Sequence, residues 1–114
     1  MIEHDIRPWG EYFVLDNDNS HKVKKIIVEP GQRLSYQYHK FRSEVWIITS
    51  GKALINIDDV EREYKVGDVV IIPKGAKHRI QNKSQSKLVF IEVQLGTYFG
   101  EDDIVRIEDD YQRP

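Results

Sequence analysis

The sequence has no cysteine. Disulfides, thiolate metal sites and cysteine nucleophiles are therefore excluded, and any metal must be held by nitrogen and oxygen donors. Long apolar runs are also missing: none approaches the ~20 residues that a membrane-spanning helix needs. There is no excess of one charge, because 17 basic face 19 acidic side chains for a formal net charge of −2. That balance lacks the clustered basic face of a nucleic-acid binder and argues against a membrane surface. The start, Met1 to Asp5, lacks the basic and apolar regions of a signal peptide, so a cytoplasmic location is expected. Low-complexity linkers and internal repeats are absent, and no amphipathic helix is legible before the last fifteen residues.

What is present is a globular composition, 39% hydrophobic with 11% aromatic residues over 114 positions. That length suits one core, with roughly 60–70% of the unfolded surface buried on folding. Short runs of β-branched, aromatic and alternating residues recur between Gly, Pro, Asn and Asp. They cover residues 9–15, 22–28, 34–39, 44–49, 53–57, 61–66, 69–72, 78–81 and 88–95. About nine short strands at this spacing predict an all-β sandwich or barrel. Asp58-Asp59 reads as a hairpin turn, and Gly31, Gly51, Gly67 and Gly75 all fall at turns. Residues 100–113 read either as one helical turn with acids at its start or as an extended arm.

Two segments carry chemistry. In the first, Gly31 leads to Gln37, His39, Glu44 and Gly51. Side chains alternate across a strand, so Gln37 and His39 share a face, and Glu44 can return to it after a short loop. In the second, Gly67 leads through Pro73 and Gly75 to His78 and Asn82. If the two hairpins face each other, two imidazoles and two side-chain oxygens converge. Such a set suits one divalent ion, zinc first, with Mn, Co, Ni or Fe as alternatives. His4 and His21 lie outside both segments and read as surface residues. Trp9, Trp46 and Tyr98 read as core or rim.

The spacing G-x5-Q-x-H-x4-E-x6-G, then G-x5-P-x-G-x2-H-x3-N, resembles the paired motifs of the cupin superfamily, with Gln37 where the first motif usually has His. Further segments narrow this: Arg7-Pro8-Trp9-Gly10, Lys22-Val23-Lys24-Lys25-Ile26, Arg42-Ser43-Glu44, Ile91-Glu92-Val93-Gln94 and Gly100 through Arg106. Together they resemble the C-terminal cupin domain of type II mannose-6-phosphate isomerases, a family that carries Gln at the position of Gln37. That domain is commonly fused behind a mannose-1-phosphate guanylyltransferase. The resemblance implies a double-stranded β-helix (jelly-roll) in one domain over residues 1–114, with the barrel at about 7–99 and a C-terminal arm at 100–114. The chain departs from the family's His-rich stretch at Lys40, Phe41 and Val45, and from its Tyr-Gly-Arg ending at Tyr111-Gln112-Arg113.

The implied activity is metal-dependent interconversion of mannose 6-phosphate and fructose 6-phosphate in nucleotide-sugar and polysaccharide precursor metabolism. Glu92, in phase with Leu88, Phe90 and Gln94, is the candidate base. Lys24, Arg42, Arg106 and Arg113 are candidates for the phosphate, since guanidinium suits a bidentate oxyanion. No guanylyl transfer is expected, because the sequence has no Gly-rich phosphate loop; a separate guanylyltransferase could work alongside. Other readings are a non-catalytic module binding a sugar phosphate or nucleotide sugar, and an iron-dependent dioxygenase. A homodimer is expected, with Tyr12, Val14 and the N-terminal strand facing the second copy.

Overall fold

Alternation of side chains decides how this chain folds. A computed structural model describes residues 3–113, and its strands are β1 (Glu3–Arg7), β2 (Gly10–Asn17), β3 (His21–Val28), β4 (Tyr36–Tyr38), β5 (Arg42–Ser50) and β6 (Lys52–Ile57), then β7 (Val60–Lys65), β8 (Val69–Ile72), β9 (His78–Gln81), β10 (Leu88–Gly96) and β11 (Val105–Glu108). They form two antiparallel sheets, a six-stranded one ordered β1-β2-β3-β10-β5-β8 and a five-stranded one ordered β11-β4-β9-β6-β7. No helix occurs among the described residues, so none is long and apolar enough to cross a membrane. Strands β3 and β10 bury every second side chain, the pattern of a sheet with one face on a core.

The space between the sheets has an apolar end and a polar end, and the register shows why. Phe90 on β10 stands between Ile26 of β3 and Ile48 of β5. Two residues further on, Glu92 stands between Lys24 and Trp46, and then Gln94 between Lys22 and Glu44. All of these side chains are buried. The apolar end holds the core of Ile26, Val28, Ile48, Ile55, Ile72, Ile80, Leu88 and Phe90. The polar end becomes the site.

Turns follow the local chemistry. Asp58 and Asp59, with φ of 47° and 69°, close the β6–β7 hairpin as the expected two-residue turn with both central residues left-handed. Gly51 has φ of 82°, and a Cβ there would sit 2.7 Å from the Lys87 carbonyl oxygen.

Three features differ from the sequence reading or decide between its alternatives. Residues 3–7, mostly polar, pair with β2 as an additional strand. The tail is extended rather than helical: Val105–Glu108 is a strand on the free edge of β4, which its Val-Arg-Ile content favours. Tyr12 and Val14, expected to face a second copy, instead point into the core at 6% exposure each. Their phase on β2 leaves Glu11 and Phe13 on the outside.

Candidate metal centre

The donors come from both sheets. Glu44 projects from β5 of the six-stranded sheet, while Gln37 on β4 and His78 on β9 are direct partners in the five-stranded one. His39 immediately follows β4, and its carbonyl accepts from the Gly75 amide at 2.9 Å, which ties the ligand loop to the Pro73-Lys74-Gly75 turn. One ligating atom each from His39, Glu44 and His78 lies within 4.8 Å of the others, and all three residues are buried. Gln37 lines the same cavity, its amide oxygen accepting from the Ser35 hydroxyl at 3.2 Å.

Each imidazole is oriented by a carbonyl. His39 Nδ1 donates to the Asp103 carbonyl at 2.6 Å, and His78 Nδ1 donates to the Ala76 carbonyl at 2.9 Å. A carbonyl oxygen can only accept, so the proton sits on Nδ1 and each Nε2 carries its lone pair, that of His39 accepting from Arg42 Nη2. The two Nε2 atoms face Glu44, His39 at 3.3 Å from Oε2 and His78 at 3.9 Å from Oε1. His78 Nε2 is a buried polar atom with no hydrogen-bond partner, and such an atom ordinarily has an explanation in a ligand or ion. Burial, aided by the charge of Arg42 and the second imidazole, pushes His39 down to about 4. Burial also lowers His78, against the pull of the Ala76 carbonyl. Neutral imidazoles are the ligating form. Two imidazole nitrogens and a carboxylate therefore fit a divalent cation, with Gln37 lining the same cavity.

Around this set lies a charged network. Arg42 Nε donates to Glu44 Oε2 at 2.8 Å, and its Nη2 lies 3.3 Å from His39 Nε2. The Trp46 indole N–H forks between Glu44 Oε1 at 2.9 Å and Glu92 Oε1 at 3.1 Å. Gln94 Nε2 donates to Glu92 Oε2 at 2.8 Å. Glu92 is pushed up to about 7, first by burial and then by the negative charge of Glu44, with Lys24 and Arg42 pulling the other way.

The structure gathers all nine residues singled out from the sequence. Gln37, His39 and Glu44 line one cavity of about 140 Å³ with Glu92, Lys24, Arg42, Arg106 and Arg113, and His78 joins through its group with His39 and Glu44. The cations are not idle: Lys24 Nζ donates to Glu101 at 2.7 Å, and Arg113 holds Asp109 through two contacts of 2.8 and 3.0 Å. His4 and His21 lie outside, the first 3.4 Å from Glu11 and the second bonded to Asp16. Asn82 of the second motif holds a turn, donating to the Val28 and Ser86 carbonyls.

Sequence reading missed Trp46 as a site residue, although it stands in phase with Glu44 on β5. Arg7 at the cavity wall and Asp103 behind His39 were missed too, and only tertiary folding reveals them. The departures from the family's His-rich stretch fall away from the cavity. Lys40 and Phe41 are exposed, and Val45 faces the opposite side of β5 from Glu44 and Trp46. Gln112, where the resemblance implies Gly, occupies a left-handed φ of 55°, a conformation open to Gly without steric cost.

Comparisons with known proteins agree with this architecture. Residues 2–109 match the family model described as mannose-6-phosphate isomerase C-terminal. The chain is 44% identical over 107 residues to a mannose-1-phosphate guanylyltransferase of Salmonella montevideo. It is 45% identical over 107 residues to the xanthan biosynthesis protein XanB of Xanthomonas campestris pv. campestris (strain B100). Each match covers 94% of this chain but 23% of the relative, so the chain spans less than a quarter of the curated proteins it matches. A solved protein with a double-stranded β-helix domain from Klebsiella pneumoniae subsp. pneumoniae MGH 78578 superposes with a TM-score of 0.74 at 23% identity, covering 84% of this chain and 82% of its own. With nearly its whole length matched, this chain belongs to the mannose-6-phosphate isomerase C-terminal family of cupin-type, double-stranded β-helix domains.

Proposed function

We propose that this domain is a metal-dependent aldose–ketose isomerase that interconverts mannose 6-phosphate and fructose 6-phosphate, in the supply of precursors for nucleotide sugars and polysaccharides. One observation carries the reading. The cavity puts a buried carboxyl, Glu92, one indole N–H away from the His39–Glu44–His78 donor set, and lines the same space with Arg7, Lys24, Arg42, Arg106 and Arg113. Isomerisation needs those parts together: a base for a carbon-bound proton, a polarised pair of oxygens and cations for a phosphate.

His39, Glu44 and His78, with Gln37 beside them, would hold the ion, and zinc, manganese, cobalt, nickel or iron all suit the donors. Such a cation acts as a Lewis acid on neighbouring sugar oxygens, an effect of several kcal/mol. The Glu92 carboxylate takes the proton from C2 of the aldose. It returns that proton to C1, while the hydroxyl proton passes from O2 to O1 through the cis-enediol. Trp46 and Gln94 fix both Glu92 oxygens, so the base keeps one orientation across the transfer. Burial of Glu92 favours a carboxyl that can both accept and give up a proton near neutrality. The guanidinium groups at the cavity wall bind the phosphate. Guanylyl transfer is not assigned to these residues; that name belongs to proteins of which this chain spans 23%.

The test is conversion of mannose 6-phosphate by the purified chain loaded with Zn²⁺, Co²⁺ or Mn²⁺. Wild type is expected to turn over, and Glu92→Gln to lose turnover while keeping its metal. Binding of the sugar phosphate without conversion would favour a non-catalytic binding module instead. A Glu92→Gln variant with undiminished turnover would remove Glu92 from the chemistry.

A further inference from the structure

The chain beyond Asp103 is attached differently from the rest of the barrel. Asp103 itself is buried; its carboxylate accepts from the Lys40 and Phe41 amides, and its carbonyl accepts from His39 Nδ1. Among the described residues that follow, 104–113, none is buried. Strand β11 pairs with β4 alone, at Val105, Arg106 and Glu108, and the register breaks between the last two. The other fastenings are mostly polar. Arg33 holds Asp110 at 2.7 and 2.8 Å in an exposed pair, and Arg79 reaches the Glu108 carbonyl at 3.3 Å. Tyr111 adds packing against the core. A segment with so little buried apolar surface belongs to the low-stability end of a fold, from which lids are drawn.

This same segment closes the cavity. Ile104, Arg106 and Arg113 stand in its wall. With them in place the cavity holds about 140 Å³, well under the roughly 300–1,000 Å³ of pockets that enclose small organic ligands. A hexose phosphate therefore needs a wall to move. Tyr12, Lys24, Glu92 and Trp46 stand on β2, β3, β10 and β5, each of which has a hydrogen-bonded neighbour on both sides. Only β11 among the wall-bearing strands is an edge, released by breaking one short ladder. The three hydrogen bonds that anchor Asp103 involve no residue beyond it, so the chain can turn there without releasing His39.

We propose that residues 104–113 are a lid, hinged at Asp103, that leaves the edge of β4 to admit the sugar phosphate and then closes on it. Closure brings Arg106 and Arg113 to the phosphate and shuts water out of the site. The identity of the ligand rests on the isomerase reading; the opening does not. The metal ligands stay on the body of the barrel, while two of the phosphate cations arrive with the moving segment.

Amide exchange of the ligand-free chain, followed by NMR, tests the opening. The β11 amides that pair with β4 should exchange at least about 100-fold faster than those of β10, with one common opening from Val105 to Glu108. Protection equal to β10 overturns the lid, and so does a graded rise toward the end of the chain, which is plain fraying. A disulfide tests the gate. Tyr38 and Val105 are register partners, and such pairs, about 4.5–5.5 Å apart at Cα, fall within disulfide range. The native sequence has no cysteine, so Tyr38→Cys/Val105→Cys carries the only thiols. In the Zn²⁺-loaded variant, oxidation should slow association of mannose 6-phosphate at least about tenfold, with zinc content unchanged and the rate restored by reductant. Equal association in the oxidised and reduced forms overturns the proposal. If wild type binds no mannose 6-phosphate, the isomerase reading falls, and the exchange pattern alone decides the lid.

Discussion

Replacing Asp103 by Ala is expected to loosen the metal centre from behind. Asp103 is buried at 6% exposure in the segment between β10 and β11. Its carboxylate accepts from the Lys40 and Phe41 amides at 2.9 and 3.0 Å, and its carbonyl accepts from His39 Nδ1 at 2.6 Å. One residue thus clamps the loop that starts at the ligand His39 and leads into β5, the strand of Glu44. Hydrogen bonds to a charged group contribute about 1.5–3 kcal/mol each. Because Lys40 and Phe41 are exposed, water can partly replace the carboxylate, so the lower half of the range applies, about 3–4.5 kcal/mol for the pair. For a chain of this size that is a fall in Tm of about 12–18 °C, measured in EDTA so that metal does not contribute. Loss of the fixed carbonyl behind His39 should also weaken metal affinity by about 10–100-fold, read by titration calorimetry with Co²⁺. Asp103→Asn keeps one acceptor and should fall between wild type and Asp103→Ala in both assays. A Tm within about 2 °C of wild type, with unchanged Co²⁺ affinity, would refute the clamp.

Two other predictions rest on the same strap and on the turn into β2. Glu101 is held down to about 2: burial alone would raise a carboxyl, but the ammonium groups of Lys24 and Lys22 outweigh it. A folded value below the ordinary 4.5 means stability that is present above that value and lost as pH falls toward 2. Since the Glu101 side chain is 42% exposed, solvent screens the pairing and the contribution is about 1 kcal/mol. Urea unfolding should therefore show Glu101→Gln less stable than wild type at pH 7 and converging with it near pH 2; a constant gap across that window contradicts the pairing. Gly10 has φ of 154°, and a Cβ there would stand 2.0 Å from the Ile27 carbonyl oxygen. Gly10→Ala should cost at least about 2 kcal/mol through this backbone clash, and a thermal midpoint equal to wild type would contradict it.

Most of the strands could be read from short β-branched and aromatic runs between turn residues; burial alternates along Lys22–Val28 and Leu88–Leu95, but with lysines on the inner face of the first and apolar residues on both faces of the second. The expected tight turn at Asp58-Asp59 and the left-handed Gly51, Gly67 and Gly75 are where the sequence places them. The additional strands were harder. Glu3–Arg7 is mostly exposed and polar, so it lacks the apolar stripe that marks a strand. Val105–Glu108 is four residues long and is a strand only because β4 offers it an edge. Alternation also has no sign of its own: it grouped Tyr12 with Val14 but could not say whether their face was the inner one.

For the site, spacing brought Gln37, His39, Glu44 and His78 into view, since two motifs of fixed length constrain where the ligands fall. The network behind them was not legible. Asp103 is 64 residues from His39 in sequence, and no local pattern links an acid in a loop to an imidazole across the barrel mouth. Trp46 could have been found, because it repeats the phase of Glu44, but a buried tryptophan is more often read as core.

Metal content decides the central claim most directly. After equilibration with Co²⁺ or Zn²⁺ and removal of free ion, elemental analysis should find about one ion per wild-type chain, close to none in His78→Ala, and an unchanged β-sheet spectrum in both. Wild type that retains no ion, or a His78→Ala chain that retains the full complement, would contradict the assignment of His39, Glu44 and His78 to a common cation.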